Sequence, residues 1–447
     1  MANTYAFLDN APLKNFHYRL LLLSSFVYGL TGMNVMFIAP LVTSIAKEWG
    51  LGVNDIGQML SIGYLGMFIG ALIFGRLTDV IGRKKVLIIV LFLEAIFTAL
   101  CGLSPNLYML YILRFIAGLG LGGALPIPGV YVSEYIPAKH RGLFLGLVET
   151  SWVYGAFLSL LIPYFMLPIF GWRITFFAAL LPLPLIPLIT IFLPESIRYL
   201  VNKGKFKEAQ EVLAKAIESH EKPELKIESS EAGMMKRSVK DLISSQYIKR
   251  TALLFILWGS LVYTYHGIFL WLPTIYAKQF NLKDVTSIWW TLIVTIFQVP
   301  GYYSASFLLD KIGRKKVLVI YLFVAGVSSA VLSFTVSLEW VLLWSAMISF
   351  FNLGAWSALY AYTPELYPTE IRGTGSGAAA SFGRLIGIFA PSVTAYLFSI
   401  SSLFGPFAAF SIVHLIASFS VLIFGIETMR KSLEEISLIC LTSKENK

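Results

Sequence analysis

Charge is what this sequence has least of. Only 13% of its 447 residues are Asp, Glu, Lys or Arg, where a soluble chain carries about 25%. A water-facing globular body of this length is therefore excluded. Cysteine is almost missing too: Cys101 lies inside an apolar stretch and Cys440 in the polar tail. Residues so placed make neither a disulfide framework nor a metal cluster. The glycine run Gly118, Gly120, Gly122 and Gly123 sits within an apolar segment and is followed by no Lys-Ser or Lys-Thr pair. That excludes a phosphate-binding loop, a nucleotide cofactor and ATP as energy source. No polar segment is large enough for a catalytic domain, so an enzyme is not expected. The opening stretch through Asn10 is polar and the first apolar run is long, which reads as an uncleaved insertion signal rather than a signal peptide.

What fills the chain is apolar: 57% of residues are hydrophobic and 15% aromatic. A hydrocarbon core about 30 Å thick needs about 20 apolar residues per crossing, and such runs recur from Phe16 almost to the end. They number about twelve. The sequence predicts an all-α membrane protein. The formal charge of +10 does not mark a nucleic-acid partner, because the cations sit in short loops rather than along one face. Arg83, Lys84, Lys85, Lys139, Arg141, Arg314, Lys315 and Lys316 fall on one side, whereas loops near Pro105 and Leu403 are nearly uncharged. By the positive-inside rule the basic loops, both termini and the central loop face the cytoplasm of a plasma membrane. The predicted divisions are a six-helix bundle at 1–193, a polar loop at 194–247 with a helical stretch from Lys205 to Ser219, a second bundle at 248–427 and a tail at 428–447.

The two bundles repeat. Asp79 and the run Ile81-Gly82-Arg83-Lys84-Lys85-Val86-Leu87 return as Asp310 and Ile312-Gly313-Arg314-Lys315-Lys316-Val317-Leu318. Glu134, Pro137, Arg141 and Gly142 return as Glu365, Pro368, Arg372 and Gly373 with the same shift. A repeat of this kind implies pseudo-two-fold bundles with a solute site near the midplane. Glycines permit a tight turn and close helix approach, and Asp79 is able to cap the next helix or pair with an Arg. A plain topology loop needs no such repetition. The motifs are therefore read as gate latches, with Asp79, Arg83, Glu134 and Arg141 in one copy and Asp310, Arg314, Glu365 and Arg372 in the other.

These residues resemble the loop signature of the major facilitator superfamily. Arg114-Phe115-Ile116-Ala117-Gly118-Leu119-Gly120 is similar to its fourth-helix motif, and Pro194-Glu195-Ser196-Ile197-Arg198-Tyr199-Leu200 to the signature ending the sixth helix of sugar-porter-like members. More narrowly, Phe16-His17-Tyr18-Arg19, Val132 to Gly142, Gly301-Tyr302-Tyr303-Ser304-Ala305 and Asn352 to Pro368 resemble the niacin-transporter branch of metabolite:proton symporters, related to synaptic vesicle glycoproteins. The resemblance implies a secondary transporter for organic acids. Asn34 stands where aromatic-acid symporters place an aspartate, and Ile426-Glu427-Thr428 where sugar porters place Pro-Glu-Thr.

Charges within apolar spans cost about 2.5 to 3.5 kcal/mol each on insertion scales, so each asks for a reason. Glu149, one turn before Trp152, is the first choice for a proton carrier, and helix-orienting pairing is its bland alternative. Arg114 lies in the motif that the family associates with proton coupling; Glu94 is read as nearer the basic end of its span and more structural. Arg384, midway along its helix, offers a planar pair of donors to a carboxylate, or a partner to a protein acid. Asn34, Trp152, Tyr263, His266, Gln298, Asn352, Trp356 and Tyr360 complete the candidate site. Their rings are able to stack on a flat ring or a sugar face, and for any one of them ordinary packing is the competing account. The expectation is a monomeric carrier in the lipid bilayer, working by alternating access on a small organic acid with a proton as the coupled ion. A sugar:proton symporter is the alternative within the class, and a non-transporting receptor the alternative outside it.

Overall fold

The computed structural model describes residues 12–217, 242–244, 246–367 and 371–429. Among them every regular element is a helix, and eleven stretches are long and apolar enough to cross a membrane. One of the eleven, Lys139–Phe192, is 54 residues long. At about 1.5 Å per residue it would extend about 80 Å, far beyond one hydrocarbon thickness, and it breaks at Gly171, where φ is 69°. It makes two crossings, and the total is the twelve that the sequence predicts.

By contact the chain divides into two compact units. The first holds the described residues up to Phe37 and from Ile62 through 217; the second holds Ile38–Ser61 and the described residues from 242 onward. Its main helices in the first unit are α1 (Asn15–Met36), the later part of α2 (Val53–Ile81), α3 (Arg83–Leu100), α4 (Leu107–Ala124, continued by Pro126–Tyr135), α5 (Ala138–Thr175) and α6 (Leu185–Phe192). α7 (Phe206–Ile217) starts one residue after the predicted Lys205, the predicted last residues 218–219 lying outside the described residues, and is no free loop segment. Ala209, Leu213 and Ala216 on one face of it join the core that holds Tyr135, Leu193 and Ile197. Much of the predicted central loop, 218–241, and the tail beyond Met429 with Cys440 lie outside the described residues, as does Pro368.

Small residues decide how these helices meet. A Cβ on Gly155 of α5 would collide with the carbonyl oxygen of Gly29 on α1, and one on Gly122 of α4 with that of Met67 on α2. Backbones in contact gain dispersion and weak polar contacts that larger side chains would prevent, which is how helices associate where no hydrophobic drive exists between them. The fourth-helix glycines are thus packing surfaces.

The second unit contains α8 (Ile248–Phe269), α9 (Asp284–Ile296, continued by Gln298–Ile312), α10 (Arg314–Ser333), α11 (Leu338–Glu365), α12 (Arg372–Ser401) and α13 (Phe404–Phe424). Residues 38–61 pack among them. Ser44 Oγ donates to Asp284 Oδ2 at 2.8 Å, Lys47 Nζ meets Asp284 Oδ1 at 2.7 Å, and Ser61 and Ser392 share a hydrogen bond of 2.8 Å. Gly57 lies against Pro391, Ser392 and Ala395.

Candidate functional site

At the basic end of each unit the repeated motif folds the same way twice. Gly82 has φ 102° and Gly313 φ 98°, a left-handed conformation that a side chain resists. Each starts a helix, and that helix is capped from far along the chain. Glu195 Oε1 accepts from the backbone N–H of Arg83 at 2.8 Å, Lys84 at 3.2 Å and Ser196 at 2.9 Å. Glu427 Oε1 accepts from Arg314 at 2.9 Å, Thr428 at 3.0 Å and Met429 at 3.0 Å. A carboxylate satisfying orphan N–H groups at a helix N-terminus also meets the positive end of its dipole.

Around each cap sits an ion pair. Arg83 reaches Glu134 at 3.4 Å and Asp79 at 3.7 Å; Arg314 reaches Glu365 at 3.3 Å and Asp310 at 3.2 Å. Ser196 hydrogen-bonds Glu134, and Thr428 Oγ1 donates to Glu365 Oε2 at 2.5 Å. The sequence option that Asp79 caps the following helix is corrected: Asp79 and Asp310 are exposed partners of the arginines, and Glu195 and Glu427 do the capping. Arg141 Nε donates to the Ile136 carbonyl at 3.3 Å, and Arg372 opens α12 half-buried. Beside this end of the second unit, burial pushes the Tyr367 phenol up, against its hydrogen bond with Thr251 and the nearby Arg250.

Within the spans of the first unit, Glu94 and Arg114 are both buried. Glu94 lies beyond the midpoint of α3, not toward its basic end as the sequence reading placed it. Thr31 Oγ1 of α1 donates to its Oε1 at 3.1 Å, and Oε2 has no hydrogen-bond partner among the described residues. Arg114 lies across Gly63, where a Cβ would come within 3.0 Å of its guanidinium, and its Nε and Nη1 find no hydrogen-bond partner among the described residues. Asn34 is buried and donates to the Ala179 carbonyl at 3.2 Å. Trp152 packs on Gly32 and lies 6.0 Å from the Tyr28 ring. Glu149 is half-buried on α5.

In the second unit, Asn352, Trp356 and Tyr360 run along one face of α11, spaced by single turns. Trp356 and Tyr360 have centroids 5.6 Å apart and planes 32° apart. Trp258 of α8, which the sequence reading did not single out, stands edge-on to both, at 5.5 Å and 82° and at 5.4 Å and 88°. Its Nε1 donates to Thr363 at 3.0 Å. Tyr263 lies 5.5 Å from Phe410, Gln298 Oε1 accepts from Tyr265 at 3.4 Å, and His266 Nδ1 pairs with the Val262 carbonyl at 3.0 Å. Arg384 is half-buried on α12, next to Gly383, which packs on Trp258 and Val262. Another residue absent from the sequence reading, His414, is wholly buried and hydrogen-bonds Asn352 at 2.9 Å. A lone His in an apolar run gives no signal of this.

A double set of capped arginine motifs on paired six-helix units, with charges held inside the spans, defines a transporter of the major facilitator type and not an enzyme. The chain belongs to the sugar (and other) transporter family, whose pattern matches residues 18–439. It is 38% identical over 435 residues to the niacin transporter NiaP of Acinetobacter baylyi, covering 96% of this chain and 99% of that one. To the putative niacin/nicotinamide transporter NiaP of Bacillus subtilis it is 37% identical, over 90% of this chain and 94% of the relative. A benzoate transport protein of A. baylyi is 29% identical over 89% and 87%. Among solved structures, the proton:xylose symporter XylE bound to 6-bromo-6-deoxy-D-glucose superposes with a TM-score of 0.74 over 95% of this chain and 99% of that one, at 19% identity. That likeness speaks for the fold.

Proposed function

We propose that this chain carries small aromatic carboxylic acids, nicotinate foremost, across a plasma membrane by alternating access with proton symport. The observation that carries the reading is the likeness, at 37 and 38% identity along nearly the whole chain, to two proteins named for niacin. The side chains are suited to it. Trp356 and Tyr360 offer faces for a flat ring. Arg384 is the proposed receptor of the carboxylate, since a guanidinium in a water-poor place makes paired charge-assisted bonds. Asn34, Trp152, Tyr263, His266, Gln298 and Asn352 are proposed as the remaining lining or supporting groups.

For the proton, Glu149 and Glu94 are the proposed carriers. Thr31 supplies Glu94 with only one hydrogen bond, and an ionised acid inside hydrocarbon is costly without more donors or a cation. Arg114 is proposed to take part in coupling as a fixed positive charge, since a guanidinium offers donors only. The pairs Arg83–Glu134 and Arg314–Glu365, with Asp79, Arg141, Asp310 and Arg372, are the proposed gate. The basic loops and both termini face the cytoplasm in this reading, and the working unit is a monomer. A sugar substrate is the second reading, favoured by the family's name and the xylose-symporter fold.

The test is uptake by purified protein in liposomes with an alkaline lumen, of labelled nicotinate, benzoate and glucose, beside vesicles without a gradient. Accumulation of an aromatic acid only with the gradient supports the reading. Glucose uptake in its place overturns it for sugar transport, and silence with every solute favours a receptor.

A further inference from the structure

The face of α11 that carries Trp356 and Tyr360 begins with Asn352, and Asn352 has no exposed surface. A side chain lining a solute cavity would show some. Its amide nitrogen is instead engaged within the fold. His414 Nδ1 lies 2.8 Å from the Phe410 carbonyl, an acceptor only, so that nitrogen bears the proton and Nε2 is left as a lone pair. Asn352 Nδ2 donates to this lone pair at 2.9 Å and to Thr264 Oγ1 at 3.0 Å. Thr264 has already given its own proton to the Ser260 carbonyl at 2.9 Å. Turning the amide over would set Oδ1 against two acceptors. This arrangement pairs both donors of the amide and leaves Oδ1 with no hydrogen-bond partner among the described residues, and it ties α8, α11 and α13 together at one level.

A second tie lies further along the same pair of helices, where Trp258 Nε1 of α8 donates to Thr363 of α11. From Asn352 to Thr363 is about 16 Å along α11. Trp356 and Tyr360 fall between these two ties, and Trp258 makes the second. Trp356 and Tyr360 make a floor whose two planes are tilted by 32°, and Trp258 makes a wall close to perpendicular to both. Trp258 and Trp356 are buried and Tyr360 is half-buried, so an aromatic ring that reaches them would have to meet a face and an edge, the two arrangements its quadrupole favours. An aliphatic chain gains nothing from that geometry beyond contact area.

We infer that Asn352 is a positioning residue: through Thr264 and His414 it sets the register of α8 against α11, and so holds Trp258, Trp356 and Tyr360 as a corner selective for flat aromatic rings. The inference rests on the aromatic-acid reading above and assigns Asn352 a supporting task in it, with Trp258 as an added specificity residue.

The test uses the full chain in liposomes: KM and Vmax for labelled nicotinate, and the ratio of inhibition by benzoate to that by hexanoate. The variants are Asn352→Leu, Thr264→Val, His414→Leu, His414→Gln and Trp258→Leu, with Vmax corrected for folded carrier. Misplacing a binding group by a fraction of an ångström costs affinity steeply, so Asn352→Leu and His414→Leu should raise the nicotinate KM about tenfold. Vmax should change little, and the benzoate preference should fall toward unity. Thr264→Val should act in the same direction if the larger change prevents folding. His414→Gln, which keeps an acceptor near Nε2, should recover most of the loss. Trp258→Leu should remove the benzoate preference outright. An unchanged KM and ratio, or a Vmax loss common to every solute with no change in ratio, overturns the positioning role while leaving nicotinate transport standing. Wild-type protein that takes up no nicotinate overturns the transport reading and this inference with it.

Discussion

Replacing Glu195 by Ala removes the acceptor shared by three backbone N–H groups, two of which are the unpaired donors of the first turn of α3. Loss of a helix cap costs typically about 1 kcal/mol and at most about 2. The charge at the dipole's positive end adds about 0.3 to 1 kcal/mol. The total is about 2 kcal/mol. Glu195→Gln keeps an oxygen for the N–H groups and loses only the charge, a cost of about 0.5 kcal/mol. For a folding unit near 200 residues each kcal/mol moves Tm by about 2 to 4 °C. Glu195→Ala should then melt about 4 to 8 °C early, and Glu195→Gln about 1 to 2 °C early. Glu427→Ala should lower the melting temperature by less than Glu195→Ala, since of its three N–H partners only Arg314 belongs to α10, the others being Thr428 and Met429. Because the two caps lie in separate units and share no partner, the double variant should show the sum. The assay is heating of purified protein in detergent, followed by size-exclusion to count what stays monodisperse. A Glu195→Ala protein that melts with the wild type refutes the capping argument. So does a Gln variant that falls as far as the Ala variant.

Three further outcomes are expected. Gly155→Val should not yield monodisperse protein, because its side chain has to occupy the space of the Gly29 backbone, and overpacking of this kind costs about 1 to 3 kcal/mol or more; a variant as heat-stable as the wild type would contradict the close approach. Glu94→Gln and Glu149→Gln should each abolish accumulation driven by a pH gradient while solute exchange persists, and full accumulation by either removes that residue from the proton path. Arg384→Gln should weaken nicotinate by about tenfold or more, the worth of a hydrogen bond to a charged group, without weakening competition by uncharged nicotinamide; equal effects on both would sink the carboxylate assignment.

The twelve crossings and the doubled loop motif were legible because each is local. An apolar run reports its own solvent, and the Gly-Arg-Lys-Lys run appears twice at one spacing. That repeat groups Arg83 with Glu134 and Arg314 with Glu365 as gate residues without pairing them, and the structure brings each two together. The caps were not legible in the same way. Glu195 stands 112 residues from Arg83, and Glu427 stands 113 from Arg314. No periodicity spans such a gap, and these glutamates repeat one position out of step with the loops they serve. Two short segments, Pro194-Glu195-Ser196 and Ile426-Glu427-Thr428, carried the only signal. Glu94 was placed too near the basic end because the depth of its span was judged from a boundary that the apolar pattern leaves loose. His414 and Trp258 were missed for another reason. A single His or Trp in an apolar run looks alike whether it is packing or organising, and only its donors and acceptors tell the two apart.

The grouping of residues 38–61 with the second unit sets an order of events during synthesis. Lys47 meets Asp284 across 237 residues of chain. At about 5 to 20 residues per second, that carboxylate leaves the ribosome roughly 10 to 50 s after the lysine. For that interval Ser44 and Lys47 are without the carboxylate that Asp284 later supplies.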